Sequence, residues 1–230
     1  MKYINLNPSV QGAEDSEDTL VASEILETKL ADIEQKLAQL PANSSMERAN
    51  LLLDSAYTRL ELEKDVEAWQ LGHEVFKIFA DAEDWEAAVQ AADIIYNANQ
   101  SDALVALGNG VWLAVTFPID PELTAVMLDH IVEETPADSD GAAVAAVTAH
   151  YIADLRSENE NLLFFTNQLL AKVARRHSNV EKQADFEAWM KKMELDSPPD
   201  FLGRLSQVLN VMVQDDWWVN RDALREKIEQ

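Results

Sequence analysis

The sequence predicts an all-α fold: antiparallel helical hairpins stacked as a short α-solenoid, with a C-terminal helical cap. Three observations carry this. Apolar residues recur at spacings of three and four along most of the chain, and strand-like alternation is nearly absent. The early helix starts fall about 19 residues apart, so a helix pair takes about 38 residues, the period of stacked hairpin arrays.

Residues 1–18 read as an acidic tail that stays disordered. Asn, Pro, Ser and Gly lead into Glu14-Asp15-Ser16-Glu17-Asp18, which leaves little to bury against the entropy of ordering. The short Tyr3-Ile4-Asn5-Leu6 stretch offers an edge strand as the other reading. The body spans 19–196. Its first helix runs from Thr19 to Leu40, with Leu26, Leu30, Ile33, Leu37 and Leu40 on one stripe. That stripe packs on a neighbouring helix or, through Leu26, Leu30, Ile33 and Leu37, forms the seam of a homodimer.

Pro41-Ala42-Asn43-Ser44 breaks the chain, and Ser44-Ser45-Met46-Glu47 reads as a capping box. Leu52, Leu53, Ala56, Tyr57 and Leu60 make the apolar face of the second helix. A third helix runs from about Asp65 to Ala80 and a fourth from Asp84 to Asn97. The breaks at Glu63-Lys64 and Asp81-Ala82-Glu83 are short, which forces antiparallel packing. The helix that opens near Ser101 is without charge from Ala103 to Phe117. Being apolar all round, it belongs at the centre of the domain, with Trp112 and Leu113 buried.

Pro121 opens the next helix, which ends near Glu134. Asp138-Ser139-Asp140 caps an Ala-rich helix to Arg156, whose Ala142, Ala145, Ala146, Ala149 and Ala153 admit another helix closely. Asn159–His177 follows, then Val180–Leu195 behind a second capping box, Ser178-Asn179-Val180-Glu181. Residues 197–230 pack on the body. Ser197-Pro198-Pro199-Asp200 punctuates, Phe201–Val213 is helical, and Asn220 caps a short last helix, Arg221–Ile228.

The stretch from Val75 to Ala88 resembles a degenerate tetratricopeptide repeat, with Phe79 as first aromatic, Glu83-Asp84 as the turn, Trp85 as second aromatic and Ala88 as the small residue. It departs from that pattern at Phe76, where the family has a small residue, and at Ala92, where it has an aromatic. Leu107-Gly108 and Pro136 give a weaker echo. The resemblance implies a concave groove that binds a protein or peptide, and no catalytic residue.

The chain carries 42 Asp+Glu against 18 Lys+Arg and no cysteine. Disulfides, thiolate catalysis and Cys-ligated metals are thereby excluded, and a reducing, cytoplasmic setting fits. The acid is uneven: residues 1–170 hold 31 acidic and 8 basic residues, residues 171–230 hold 11 and 10. Such a body repels nucleic acid and favours basic partners. Ala103–Ile119 is uncharged but short for a membrane span and flanked by Asp102 and Asp120.

No motif for catalysis, metal or cofactor emerges. His73, His130, His150 and His177 lie in no HExxH or ExxH pattern, although His130 and Glu133 share a helix face. Asp215-Asp216-Trp217-Trp218 lacks the third carboxylate of a magnesium-binding DDxxD, and its tryptophans pin the last helix or anchor a partner. Gly108-Asn109-Gly110 permits close helix contact rather than phosphate binding. Lys172, Arg175, Arg176, His177 and Lys182 form a small basic cluster that suits helix C-termini. The function expected is a non-enzymatic interaction module: an adaptor, scaffold or assembly chaperone for a basic protein. Its acidic surface would use Glu61, Glu63 and Glu67, with Trp69, Trp85, Trp217 or Trp218 as apolar anchors. An all-α enzyme or small-ligand protein and an acidic nucleic-acid mimic are the rival readings.

Overall fold

The computed structural model describes residues 16–41 and 43–229, with side chains from Ser23 onward. The expected tail lies outside the described residues up to position 15, as does the Tyr3–Leu6 stretch. Residues 16–18 form the first turn of a helix. Eleven α-helices and no strand occur among the described residues. The chain divides into two compact units, 1–103 and 104–230.

The first unit holds α1 (Ser16–Gln39), α2 (Ser45–Glu61), α3 (Asp65–Asp81) and α4 (Trp85–Asn97). Each helix packs on the next, and α2 also meets α4. Two turns of one design produce the two later hairpins. After α2, Glu63 takes φ 57°; its N–H bonds Leu60 O at 3.0 Å and that of Lys64 bonds Arg59 O at 2.8 Å. After α3, Glu83 takes φ 56°, and the N–H groups of Glu83 and Asp84 bond Ala80 O and Phe79 O. This is the left-handed stop that closes a helix through paired backbone bonds, and here glutamate fills the place glycine usually takes. Beyond each turn an alanine, Ala68 and then Ala88, is fully buried where the hairpin closes. α3 and α4 approach closely at Gly72, where an added Cβ would stand 2.7 Å from Ile95 Cγ1. Phe76 is core. Leu30 and Ile33 are also buried, so much of the α1 stripe packs on α2.

The second unit holds α5 (Ala103–Thr116), α6 (Pro121–Glu134), α7 (Asp140–Arg156), α8 (Glu160–Ser178), α9 (Gln183–Lys192), α10 (Pro198–Val213) and α11 (Arg221–Ile228). The Ala-rich α7 packs against α6, α8 and α10. Its small side chains, buried from Gly141 to Ala149, allow three helices to approach. The buried stripe of α10, Phe201, Leu205, Leu209 and Val213, explains why the chain turns back onto α7; Phe201 meets Tyr151 edge-on at 5.5 Å. In α5 every residue from Ala106 to Ala114 is buried, Trp112 and Leu113 included. An added Cβ at Gly108 would collide with Val213 Cγ2, so this glycine does permit close helix contact.

Several helix ends are closed from outside. Arg48 donates to Leu37 O in the last turn of α1. Arg156 donates to Ala114 O and Val115 O at the end of α5, both at 2.9 Å. Arg176 donates to Val132 O near the end of α6 at 2.7 Å, and Arg204 to Met193 O at the end of α9. Each guanidinium satisfies orphan carbonyls and meets the negative pole of the helix it closes.

N-terminal caps are mixed. Asp84, Ser139, Asn159 and Asn220 each accept a backbone N–H from the first turn, as their positions imply. The two capping boxes do not form. Ser44 is an N-cap at φ −88° and ψ 56° without a side-chain bond. Ser178 instead ends α8, Asn179 stops it at φ 51°, and α9 begins only at Gln183. Pro198 and Pro199 lie inside the first turn of α10, where proline needs no N–H partner.

Candidate functional site

Between residues 16 and 103 the chain carries 19 Asp+Glu and 6 Lys+Arg. Several of the few cations are engaged. Lys29 reaches Glu61 at 3.8 Å, and Lys36 reaches Asp32 at 2.6 Å. Arg59, partly buried, bridges Glu34 at 3.1 Å and Glu67 at 3.0 Å. Glu61 and Glu67 are therefore tied to α1 and α2, while Glu63 occupies the left-handed position of the α2–α3 turn. Trp69 is half-buried: its indole N–H donates to Asp102 Oδ1 at 2.7 Å, and His73 Nε2 meets Asp102 Oδ2 at 2.7 Å. The Trp69 and His73 rings stand edge-on at 5.1 Å. Trp85, the first residue of α4, is half-buried beside the second turn.

The acid also borders an open groove of about 550 Å³ between α1 and α2. From α1 come Lys36 and Gln39, followed by Leu40; from α2 come Glu47, Asn50, Leu51 and Asp54. The α2 residues are spaced i, i+3, i+4, i+7, one helix face carrying carboxylates, an amide and a leucine. That spacing is visible in the sequence, but the more apolar Leu53/Ala56 face of the same helix masks it. The lining combines two leucines, amide hydrogen-bonding groups, two carboxylates and Lys36, in the size range of a peptide or small-ligand cleft.

In the second unit Trp217 and Trp218 are half-buried. Asn109, fully buried on α5, clasps this segment: its amide donates to Asp216 O at 3.2 Å, and its Oδ1 accepts from Trp218 N–H at 2.9 Å. Trp217 meets Trp112 edge-on at 6.4 Å, and Arg221 lies over the Trp217 ring at 3.5 Å. The pair thus fastens α11 to α5.

The histidines are separate and each has a neighbour. His130 lies 3.9 Å from Glu133. His150 meets Thr166 Oγ1 at 3.1 Å, and His177 meets Asp140 at 3.2 Å. Asp140 also holds Arg204 at 3.0 Å, joining α7, α8 and α10. No group of three potential metal ligands converges among the described residues. No described helix is long and apolar enough to cross a membrane. Asp129 has a raised pKa, first because burial disfavours its charge and second because Glu133 is near; Lys172, His130 and Arg176 oppose this. Its Oδ1 is buried and accepts no hydrogen bond.

No family model matches the chain, and searches of the curated proteins and of the solved structures likewise give no match.

Proposed function

We propose that the chain is a non-enzymatic, cytoplasmic protein-interaction module whose first unit takes a basic segment of a partner protein. The observation that carries this reading is the α1–α2 groove, lined by Leu40 and Leu51 with Glu47 and Asp54 against the single cation Lys36, within a formal excess of 13 negative charges over residues 16–103. The field speeds encounter with a basic chain, and the leucines supply the desolvated contact that charge alone does not. Glu61, Glu63 and Glu67 extend the same field along the α2–α3 edge, with Trp69 and Trp85 as aromatic surface beside it.

The test is a nuclear magnetic resonance titration with a Lys/Leu-rich peptide, against a Glu/Leu-rich control. Binding should shift the amides of Glu47, Asn50, Leu51 and Asp54 and weaken as salt is raised. Glu47→Lys with Asp54→Lys should remove it. Shifts scattered over all acidic residues, or binding unchanged in that double variant, would refute the groove as the site.

A further inference from the structure

The second unit holds a smaller open cleft of about 180 Å³ between α5, α10 and α11. Trp112, Val115 and three leucines of α10 line it, Thr116 and Ser206 add two hydroxyls, and Arg225 adds a guanidinium. The Arg225 guanidinium lies 6.0 Å from the centroid of the Trp112 ring, so the cation and the aromatic wall face the same space. An apolar cavity of about 150 Å³ accommodates benzene, which sets the size of the body the cleft admits. Arg221 is already committed, stacked on Trp217 and donating to Asn210 Oδ1 at 3.1 Å. One guanidinium therefore serves the cleft, and it matches one negative group.

We infer that this cleft binds a small monocarboxylate with an aromatic or branched apolar body of about benzene size, its ring against Trp112 and its carboxylate on Arg225. The present partner of Arg225 does not block this. Asp222 sits 3.5 Å away on the same helix, with its side chain 90% exposed. Such a solvated pair contributes little, whereas a carboxylate anchored by a buried ring gains a fork-shaped, charge-assisted contact. The helix that carries Arg225 buries none of its own residues, so its outer face leaves the guanidinium accessible.

The probes are benzoate, benzyl alcohol and benzylammonium, added to the full chain while the Trp112 indole N–H resonance is followed. Benzoate should shift it saturably and bind about tenfold more tightly than benzyl alcohol, as a charge-assisted hydrogen bond implies. Ser206→Phe, which fills the cleft, should abolish both. Arg225 is exposed on a helix with no buried residue, so Arg225→Glu should fold, and it should reverse the preference toward benzylammonium. The inference is overturned if no probe gives a saturable shift, if benzyl alcohol binds wild type as tightly as benzoate, or if Arg225→Glu leaves the order unchanged. None of these outcomes bears on the α1–α2 groove, which lies in the other unit.

Discussion

A glutamate held at positive φ carries a backbone cost that glycine avoids. The left-handed region costs a residue with a Cβ roughly 1–2 kcal/mol, part of which glycine gives up through its greater unfolded-state entropy. Glu83→Gly, at φ 56°, should stabilise the chain by about 0.5–1 kcal/mol. Glu74→Gly, within α3, should destabilise it by about 1 kcal/mol. Denaturant unfolding reads both; equal losses would show that the turn at Glu83 carries no backbone cost. Asp129 gives a prediction in pH. Its folded pKa is raised, so the native state holds its proton more tightly than the unfolded chain does. Its contribution to stability is then fully present below the ordinary carboxylate value near 3.8 and is lost as pH rises through the folded value. Asp129→Asn should raise the melting temperature at neutral pH, and the gain should vanish in acid.

Among the elements, α5 separates what is legible in the sequence from what is not. Its lack of charge announces a buried helix, and Gly108 a close contact, because both are properties of one short segment. The partner at that contact, Val213, lies far along the chain and has no local signature. Gly108→Ala should cost about 1–3 kcal/mol by overpacking, despite the better helix propensity of alanine. Adding Val213→Ala should restore part of that loss in a double-mutant cycle; strict additivity would argue against the contact. Leu113→Asp, at a fully buried position, should leave the chain unfolded or insoluble. Caps are legible at Ser139 and Asn220, where an accepting side chain stands directly before the helix. They mislead at Ser44, whose side chain makes no cap bond, and at Ser178, which ends a helix. The α1–α2 groove is hidden from a segment-by-segment reading because two helices build it across the Pro41–Ser44 break.

For the whole molecule the largest influence beyond burial is the formal charge of −24. Self-repulsion of this size opposes compaction, and most ion pairs that relieve it among the described residues have a partly buried basic partner. Raising sodium chloride from about 0.01 M to 0.15 M shortens the screening length from roughly 30 Å to 8 Å. The melting temperature should therefore rise with salt across that range, as calorimetry would show. A fall would mean that the ion pairs around Arg59 and Asp140 outweigh the repulsion. The all-α class is legible from periodicity alone, since helix lengths and breaks are local. The return of α10 to α7 is not, because the α10 stripe does not say which helix it meets.

The arginines that close other helices bear on how this chain comes apart. A helix capped by its own side chain can be complete by itself. At the end of α5, Val115 O is met by Arg156 of α7, and at the end of α6 Arg176 of α8 joins the Thr135 hydroxyl on Val132 O. In a nearest-neighbour description of a helical array, such bonds move free energy from the intrinsic stability of each helix into the coupling between helices. Fraying is then penalised collectively: α5 cannot keep its last turn satisfied after α7 has left. Hydrogen exchange should accordingly show α5, α6, α7 and α8 opening as one unit in wild type, and Arg156→Ala should release the end of α5 into exchange ahead of the rest.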